Sequence, residues 1–178
     1  GKLFYHRSFQ PENPDKQYAQ GAMLTYSTKH IQASFSQTSV GGNYLAETGY
    51  VRRRGYNFLG PQAKYLFVPN KRIVSHGVSF KNENYYDQEY RYIEYENTYS
   101  YLFDFQNMSH FEMGYKDFYV ELQEKFDPTH GKDTTLYLPV GSSYNFGGAY
   151  IAFMSTRKKM FSYAFEAAKG TYYTGQIQ

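Results

Sequence analysis

Apolar and polar residues alternate one by one along several segments of the chain, and helical spacing is nearly absent. The longest such segment is 93–105, where one face is shared by Glu94, Glu96, Thr98, Ser100 and Asp104, with Leu102 as the exception. The apolar residues share the other face and are Ile93, Tyr95, Tyr99, Tyr101, Phe103 and Phe105. Because successive side chains of a strand point to opposite faces, this alternation predicts β-strands with one apolar and one polar face.

Nine strands are predicted from the alternation and from the turn residues between the segments. They lie near 2–9, 17–27, 30–38, 56–68, 73–82, 90–105, 110–124, 143–154 and 159–173. Pro61 falls inside the fourth strand and cannot donate to a β-ladder, so we expect that strand to begin after Pro61 or to carry a bulge there. The segment 163–169, followed by Gly170, is the best helix candidate, but its alternation favours a strand.

The predicted connections between strands alternate strictly between long and short. The long connections fall near 10–16, 39–55, 83–89 and 125–142, and the short ones near 27–29, 69–72, 107–109 and 155–158. An outer-membrane barrel has tight turns on the periplasmic side and longer loops outside the cell. A sandwich with Greek-key connections has no reason to alternate in this way. The connection lengths therefore favour a barrel that crosses a bacterial outer membrane.

The expected fold class is all-β, namely an antiparallel up-and-down transmembrane β-barrel, with residues 1–178 in a single domain. Bacterial single-chain barrels have even strand numbers, and a closed barrel leaves no unpaired edge in the hydrocarbon. Nine strands therefore predict a fragment of a larger barrel, incomplete at both ends. An eight-stranded closed barrel is the alternative if 2–9 is not a strand.

The composition suits a membrane wall better than a dry protein core. The chain has 22 Tyr and 15 Phe but only 9 Leu, 5 Ile and 7 Val, whereas ordinary cores are built mainly from aliphatic side chains. Tyr collects where hydrocarbon meets water. The longest apolar run, which ends at Met154, is far shorter than the roughly 20 residues of a membrane helix. A soluble β-sandwich that acts as a carbohydrate-binding module is the alternative class.

Five segments of the chain carry a family resemblance. They are 18–22, 43–53, 126–128, 138–141 and 157–163, and the most specific is 43–53. Together they resemble the C-terminal barrel of a bacterial outer-membrane family of unknown function, whose members carry an N-terminal domain similar to family 9 carbohydrate-binding modules. The resemblance implies a barrel in the outer membrane, and it brings no established catalytic residues.

Two groups of charged residues are candidate site residues. Glu94, Glu96 and Asp104 would face a lumen if their aromatic neighbours face lipid, where they could tune cation passage. The plainer interpretation is that a polar interior packs against Arg and Lys of other strands. The second group, Arg52, Arg53 and Arg54, could contact lipopolysaccharide phosphate or another anion. A solvated strand end is the plainer interpretation there.

No sequence pattern indicates catalysis, a cofactor or a metal ion. The five His residues have no metal-ligand spacing, and no nucleophile elbow, phosphate loop or dinucleotide fingerprint occurs. The net charge of +3 is too small to indicate nucleic acid. The expected partners are outer-membrane lipid and lipopolysaccharide, with other outer-membrane proteins and glycans as further candidates. We expect a structural or transport barrel, linked to surface glycan handling or to an envelope protein complex.

Overall fold

The structure, a computed structural model, describes residues 1–9, 14–46, 53–69, 72–127, 137–156, 160–173 and 175–177. In this part of the chain ten antiparallel strands form one sheet, and no helix occurs. The strands are β1 (Lys2–Arg7), β2 (Tyr18–Ser27), β3 (Ile31–Val40), β4 (Tyr56–Phe67), β5 (Ile73–Tyr86), β6 (Tyr92–Phe105), β7 (His110–Glu121), β8 (Ser143–Met154), β9 (Ala164–Tyr172) and β10 (Gly175–Ile177). No helix that could span a membrane is found in the described residues.

Each strand pairs only with its neighbours in the sequence, in the order β1 to β10. The predicted all-β, antiparallel, up-and-down arrangement is therefore confirmed. The nine predicted strands correspond to β1–β9, and the three-residue β10 was not predicted. Among the described strands β1 and β10 make no contact, so the sheet is open. An open sheet is consistent with the expected fragment of a larger barrel.

The predicted strict alternation of connection length is wrong in two places. Connections at one end of the sheet are 8–17, 41–55, 87–91, 122–142 and 173–174, and those at the other end are 28–30, 68–72, 106–109 and 155–163. The connection 87–91 is shorter than expected for its end because β5 continues to Tyr86. The connection 155–163 is longer than expected because β9 begins only at Ala164. The three longest connections still lie at one end, which we call the long-connection end.

The short connection 87–91 is ordered by one carboxylate. Oδ1 of Asp87 accepts hydrogen bonds from the backbone N–H groups of Glu89 and Arg91 at 2.8 and 2.9 Å, and Oδ2 accepts one from Nε of Arg91 at 2.7 Å. Burial by itself would raise the pKa of the Asp87 carboxyl, but the hydrogen bonds from Arg91 and Glu89 outweigh it and lower that pKa. A compact Asx-type turn therefore joins β5 to β6.

The prediction that the fourth strand begins after Pro61 or carries a bulge there is wrong. Pro61 lies in the middle of β4, opposite Phe35 of β3, and the register to β3 is continuous. The ladder to β5 lacks pairs at Gly60 and Pro61 and resumes in the same register at Gln62. A proline ring has no N–H to donate, so the strand accommodates it by a local interruption on one side only.

The sheet has two chemically different faces. The apolar face carries Tyr99, Tyr101 and Phe103 of β6, and the polar face carries Glu96, Ser100 and Asp104. Residues that lie opposite each other in neighbouring strands point to the same face, so the strand pairing also assigns the faces of the other strands. The exposed large side chains of the apolar face include Leu24, Tyr26, Ile31, Phe35, Tyr65, Phe67, Val78, Tyr99, Met113, Tyr115, Ile151 and Phe165.

The polar face is the more enclosed of the two. Leu102, the exception in the alternation, lies there in one row with Gly77 and Leu66, and the two leucines are only 5% and 8% exposed. In the described residues no second sheet covers this face. Side chains of a single sheet shield one another more on its concave side, so the burial indicates that the sheet curves around the polar face.

Ile93 does not belong with the other predicted residues of the apolar face. In the pairing of β5 with β6, Tyr85 lies opposite Glu94 while Tyr86 lies opposite Tyr92, so Ile93 is the extra residue of a bulge. Its side chain is 7% exposed, unlike Tyr99 at 50%. A bulge shifts the alternation by one residue, and this shift turns Tyr92 rather than Ile93 toward the aromatic residues of the apolar face.

Candidate functional site

The charged residues of β5, β6 and β7 converge on the polar face. Glu83 of β5 lies directly opposite Glu96 of β6, and Lys81 lies opposite Thr98, which in turn lies opposite Lys116 of β7. Like charges directly opposite each other destabilise a sheet. The two glutamates therefore require neighbouring positive charge.

Two lysines supply that charge. Nζ of Lys81 lies 2.6 Å from Oε2 of Glu83, and Nζ of Lys116 lies 3.4 Å from Oε1 of Glu96. The hydroxyl of Thr98 donates a further hydrogen bond of 3.3 Å to Glu96. Because all these side chains are partly exposed, each pair contributes little on its own. Together they make a polar surface on which a row with two lysines adjoins a row with two glutamates, and the four charges cancel.

A second cluster surrounds His110 at the end with the shorter connections. Nδ1 of His110 lies 2.8 Å from Oδ1 of Asp104, and Nε2 lies 3.6 Å from Oε2 of Glu112. Ser75 donates a hydrogen bond of 2.8 Å to Asp104, and the hydroxyl of Tyr150 donates one of 2.6 Å to Glu112. Nucleophilic catalysis by a serine needs a base within hydrogen-bond reach of its hydroxyl. The hydroxyl of Ser75 and the imidazole of His110 both contact the Asp104 carboxylate, and the described hydrogen bonds do not join the two directly.

Arg53 joins the polar face at the long-connection end. Its Nη1 lies 3.1 Å from Oε2 of Glu94, and its guanidinium carbon lies 5.3 Å from the ring centroid of Tyr85. Arg54 is exposed, and Arg52 lies outside the described residues. Of the predicted arginines, Arg53 therefore contacts a carboxylate and an aromatic ring of the polar face.

The structure brings Glu94, Glu96 and Asp104 to one face, opposite to Tyr99 and Phe103. Each of the three carboxylates contacts a basic or imidazole side chain of another element, namely Arg53, Lys116 and His110. These contacts agree with the plainer of the two interpretations, in which the charged side chains are paired with one another.

Sequence reasoning missed several charged and polar residues of this face, namely Lys81, Glu83, Glu112, Lys116 and Tyr150. Glu83 falls in a predicted connection and Tyr150 in the apolar run that ends at Met154, whereas the other three occupy polar positions of predicted strands. The hairpin turn at 106–109 carries the signal that could have found one of them, Lys116. Folding 93–105 back on 110–121 about this turn pairs Asp104 with His110 and Thr98 with Lys116.

In the part of the chain that the structure describes, no group of three or more His, Asp or Glu residues could hold a metal ion. Comparisons with models of protein families, with curated proteins and with solved structures found no match. The resemblance to the outer-membrane barrel family accordingly stays a prediction.

Proposed function

We propose that this sheet forms part of the wall of a β-barrel in a bacterial outer membrane, with the apolar face against lipid and the polar face around an aqueous interior. One observation supports the proposal most directly. A single-layer, up-and-down sheet exposes large apolar side chains on one face and holds its ion pairs on the other. Barrel strands of this kind alternate between lipid and lumen.

The exposed apolar surface supports the membrane rather than water as its environment. Val78, Met113 and Ile151 lie on adjacent or nearby strands and are all exposed. Soluble monomers rarely expose contiguous apolar patches larger than a few hundred Å². Hydrocarbon would cover this face without any further protein layer.

Strand length and aromatic residues agree with the same proposal. A membrane strand needs about 9–11 residues, whereas β5 and β6 have 14 residues each and so would extend beyond the hydrocarbon. The rings of Phe103, Phe105 and Phe111 lie at the end with the shorter connections, and those of Tyr95 and Tyr119 lie toward the other end. Aromatic girdles flank the apolar band of outer-membrane barrels in this way.

The role that we propose is structural support or passage of polar solutes, in contact with outer-membrane lipid and lipopolysaccharide. Passage is supported by the Lys81–Glu83 and Lys116–Glu96 pairs, which would offer both signs of charge to water. No catalytic step is proposed.

Fractionation of a Gram-negative host that secretes the complete protein tests this proposal. We expect the protein in the outer-membrane fraction, retained after washes with sodium carbonate and urea and released by detergent. Heating should change its mobility on a gel in dodecyl sulfate, as expected of a barrel that unfolds on boiling. Recovery in the soluble fraction without detergent would contradict the proposal and would favour the soluble carbohydrate-binding alternative.

A further inference from the structure

Polar side chains interrupt the apolar face toward the long-connection end. Phe80 and Tyr99 pair their rings at 5.2 Å, and in the next row of the same face Asn82 lies opposite Asn97. Beyond this row the face carries an open depression of about 670 Å³. Its lining includes Asn82, Asn84, Tyr92, Tyr95, Asn97 and Tyr119. This volume lies within the range of about 300–1,000 Å³ that ligand sites occupy.

A hydrogen-bonded relay of amides crosses three strands at this position. Nδ2 of Asn84 donates to Oδ1 of Asn82, whose own Nδ2 donates to Oδ1 of Asn97 at 2.6 Å. Nδ2 of Asn97 lies 3.5 Å from Oδ2 of Asp117, where the relay ends. Each primary amide has two donors and an oxygen with two lone pairs, which is more capacity than the relay uses. The relay therefore fixes the amides in place and leaves groups for a ligand that both donates and accepts.

Tyrosine rings border the relay. The rings of Tyr95 and Tyr119 stack with centroids 5.6 Å apart and an angle of 19° between their planes. Tyr92 lies between Tyr86 and Tyr95, at 4.5 and 6.5 Å, and its hydroxyl accepts a hydrogen bond of 3.0 Å from Tyr86. Such rings offer an apolar surface together with a polar edge. A ligand with C–H faces and a rim of hydroxyl groups matches both features.

The charges around the depression restrict the chemical class of the ligand further. None of the described side chains that line it is basic, and the one charge at the end of the relay is the Asp117 carboxylate. The Asp117 carboxylate would repel a phosphate, sulfate or carboxylate group, and no basic side chain of the described lining would attract it. The amide donors and acceptors that the relay does not use would cost free energy in contact with hydrocarbon, because they would have no hydrogen-bond partner there. Their position just beyond the apolar residues suits a polar, uncharged partner.

We propose that the depression formed by Asn82, Asn84, Tyr92, Tyr95, Asn97 and Tyr119 is a binding site for an uncharged saccharide on the outer wall of the sheet. The sugar would come from a glycolipid of the surrounding membrane or from a soluble oligosaccharide. The glycolipid source rests on the proposed membrane function, whereas binding of a soluble oligosaccharide does not. The site is separate from Arg53, which the structure commits to the other face.

Calorimetric titration of the complete protein in detergent with maltohexaose, cellohexaose and chitohexaose tests the soluble source. Mass spectrometry of lipid retained after purification from an outer membrane tests the glycolipid source. Asn97→Leu removes an amide of the relay, and Thr98→Val is the matched control on the polar face. Tyr92→Ala, at the exposed edge, is a second variant that leaves the relay intact.

We expect at least one of the two assays to detect a saccharide. Asn97→Leu and Tyr92→Ala should each weaken binding, or lower the retained glycolipid, by about tenfold, and Thr98→Val by less than about twofold. No oligosaccharide bound and no glycolipid retained would overturn the site, as would equal effects of Asn97→Leu and Thr98→Val. Fractionation of the same preparations distinguishes failure of the saccharide site from failure of the membrane function. A protein in the membrane without saccharide contradicts only the site, and a soluble protein that binds an oligosaccharide contradicts only the membrane function.

Discussion

Replacement of Ile151 by arginine is expected to prevent most of the protein from assembling in the membrane, whereas the same replacement at Ala152 is expected to be tolerated. Ile151 is 42% exposed on the apolar face and lies opposite Met113 and Ala167. An arginine facing lipid near the bilayer midplane costs about 2–4 kcal/mol. Ala152 points to the polar face, opposite Glu112 and Glu166, where a guanidinium would meet carboxylates.

The pair Ile151→Arg and Ala152→Arg is well matched, because both variants add the same side chain to adjacent residues of β8. The measurement is the amount of heat-modifiable protein in the outer membrane, followed by the urea concentration at half unfolding. If the protein were soluble and Ile151 lay in water, the change would lower the free energy of unfolding only slightly. Surface substitutions usually alter that free energy by no more than about 0.5 kcal/mol. Equal behaviour of the two variants would therefore contradict the assignment of the faces.

A methyl group added at Gly77 is expected to destabilise the sheet severely. The Cβ atom of Gly77→Ala would clash with the carbonyl oxygen of Tyr65 and would lie 3.0 Å from Cα of Leu66, both in the adjacent strand β4. Backbone atoms cannot move aside as a flexible side chain can. Overpacking of this kind typically costs about 1–3 kcal/mol and occasionally more. Separation of β4 from β5 would also disturb the row that Leu66, Gly77 and Leu102 form on the polar face.

Ser79→Ala provides the control for Gly77→Ala. Ser79 lies two residues further along β5 on the same polar face, opposite Ser100 of β6 and Lys64 of β4. Its replacement by alanine adds no atom, so we expect the urea midpoint to stay close to that of the unchanged protein. A Gly77→Ala protein as stable as Ser79→Ala would show that β4 and β5 do not approach as closely as the structure has them.

The strands could be predicted because their physical cause is local. In 93–105 the alternation of Tyr and Phe with Glu, Ser and Asp is visible without knowledge of any partner strand. The bulge at Ile93 could not be predicted, because an extra residue in one strand is defined only by the register of its partner Tyr86. Residues 83–86 were taken as part of a connection, since Asn and Glu are poor strand formers. Pairing with both β4 and β6 outweighs that preference.

The charged residues of the polar face were predicted only in part for the same reason. Glu94 and Glu96 stand out in an alternating segment, but their contacts with Arg53 and Lys116 join residues that are distant in the sequence. The amide relay was missed altogether. Asn82 and Asn97 are ordinary loop-forming residues in the sequence, and only the register between β5 and β6 brings them together.

The most direct test of the membrane-wall proposal is a nitroxide scan along 149–153 in the complete protein reconstituted in lipid vesicles. The chain has no cysteine, so each single-cysteine variant carries one label. Ala149, Ile151 and Phe153 lie on the apolar face, and Tyr150 and Ala152 lie on the polar face. We expect collisions with oxygen, which concentrates in hydrocarbon, to dominate at 149, 151 and 153. Collisions with a water-soluble nickel chelate should dominate at 150 and 152. Equal exposure of all five labels to the nickel chelate would contradict the proposal that one face of this sheet contacts lipid.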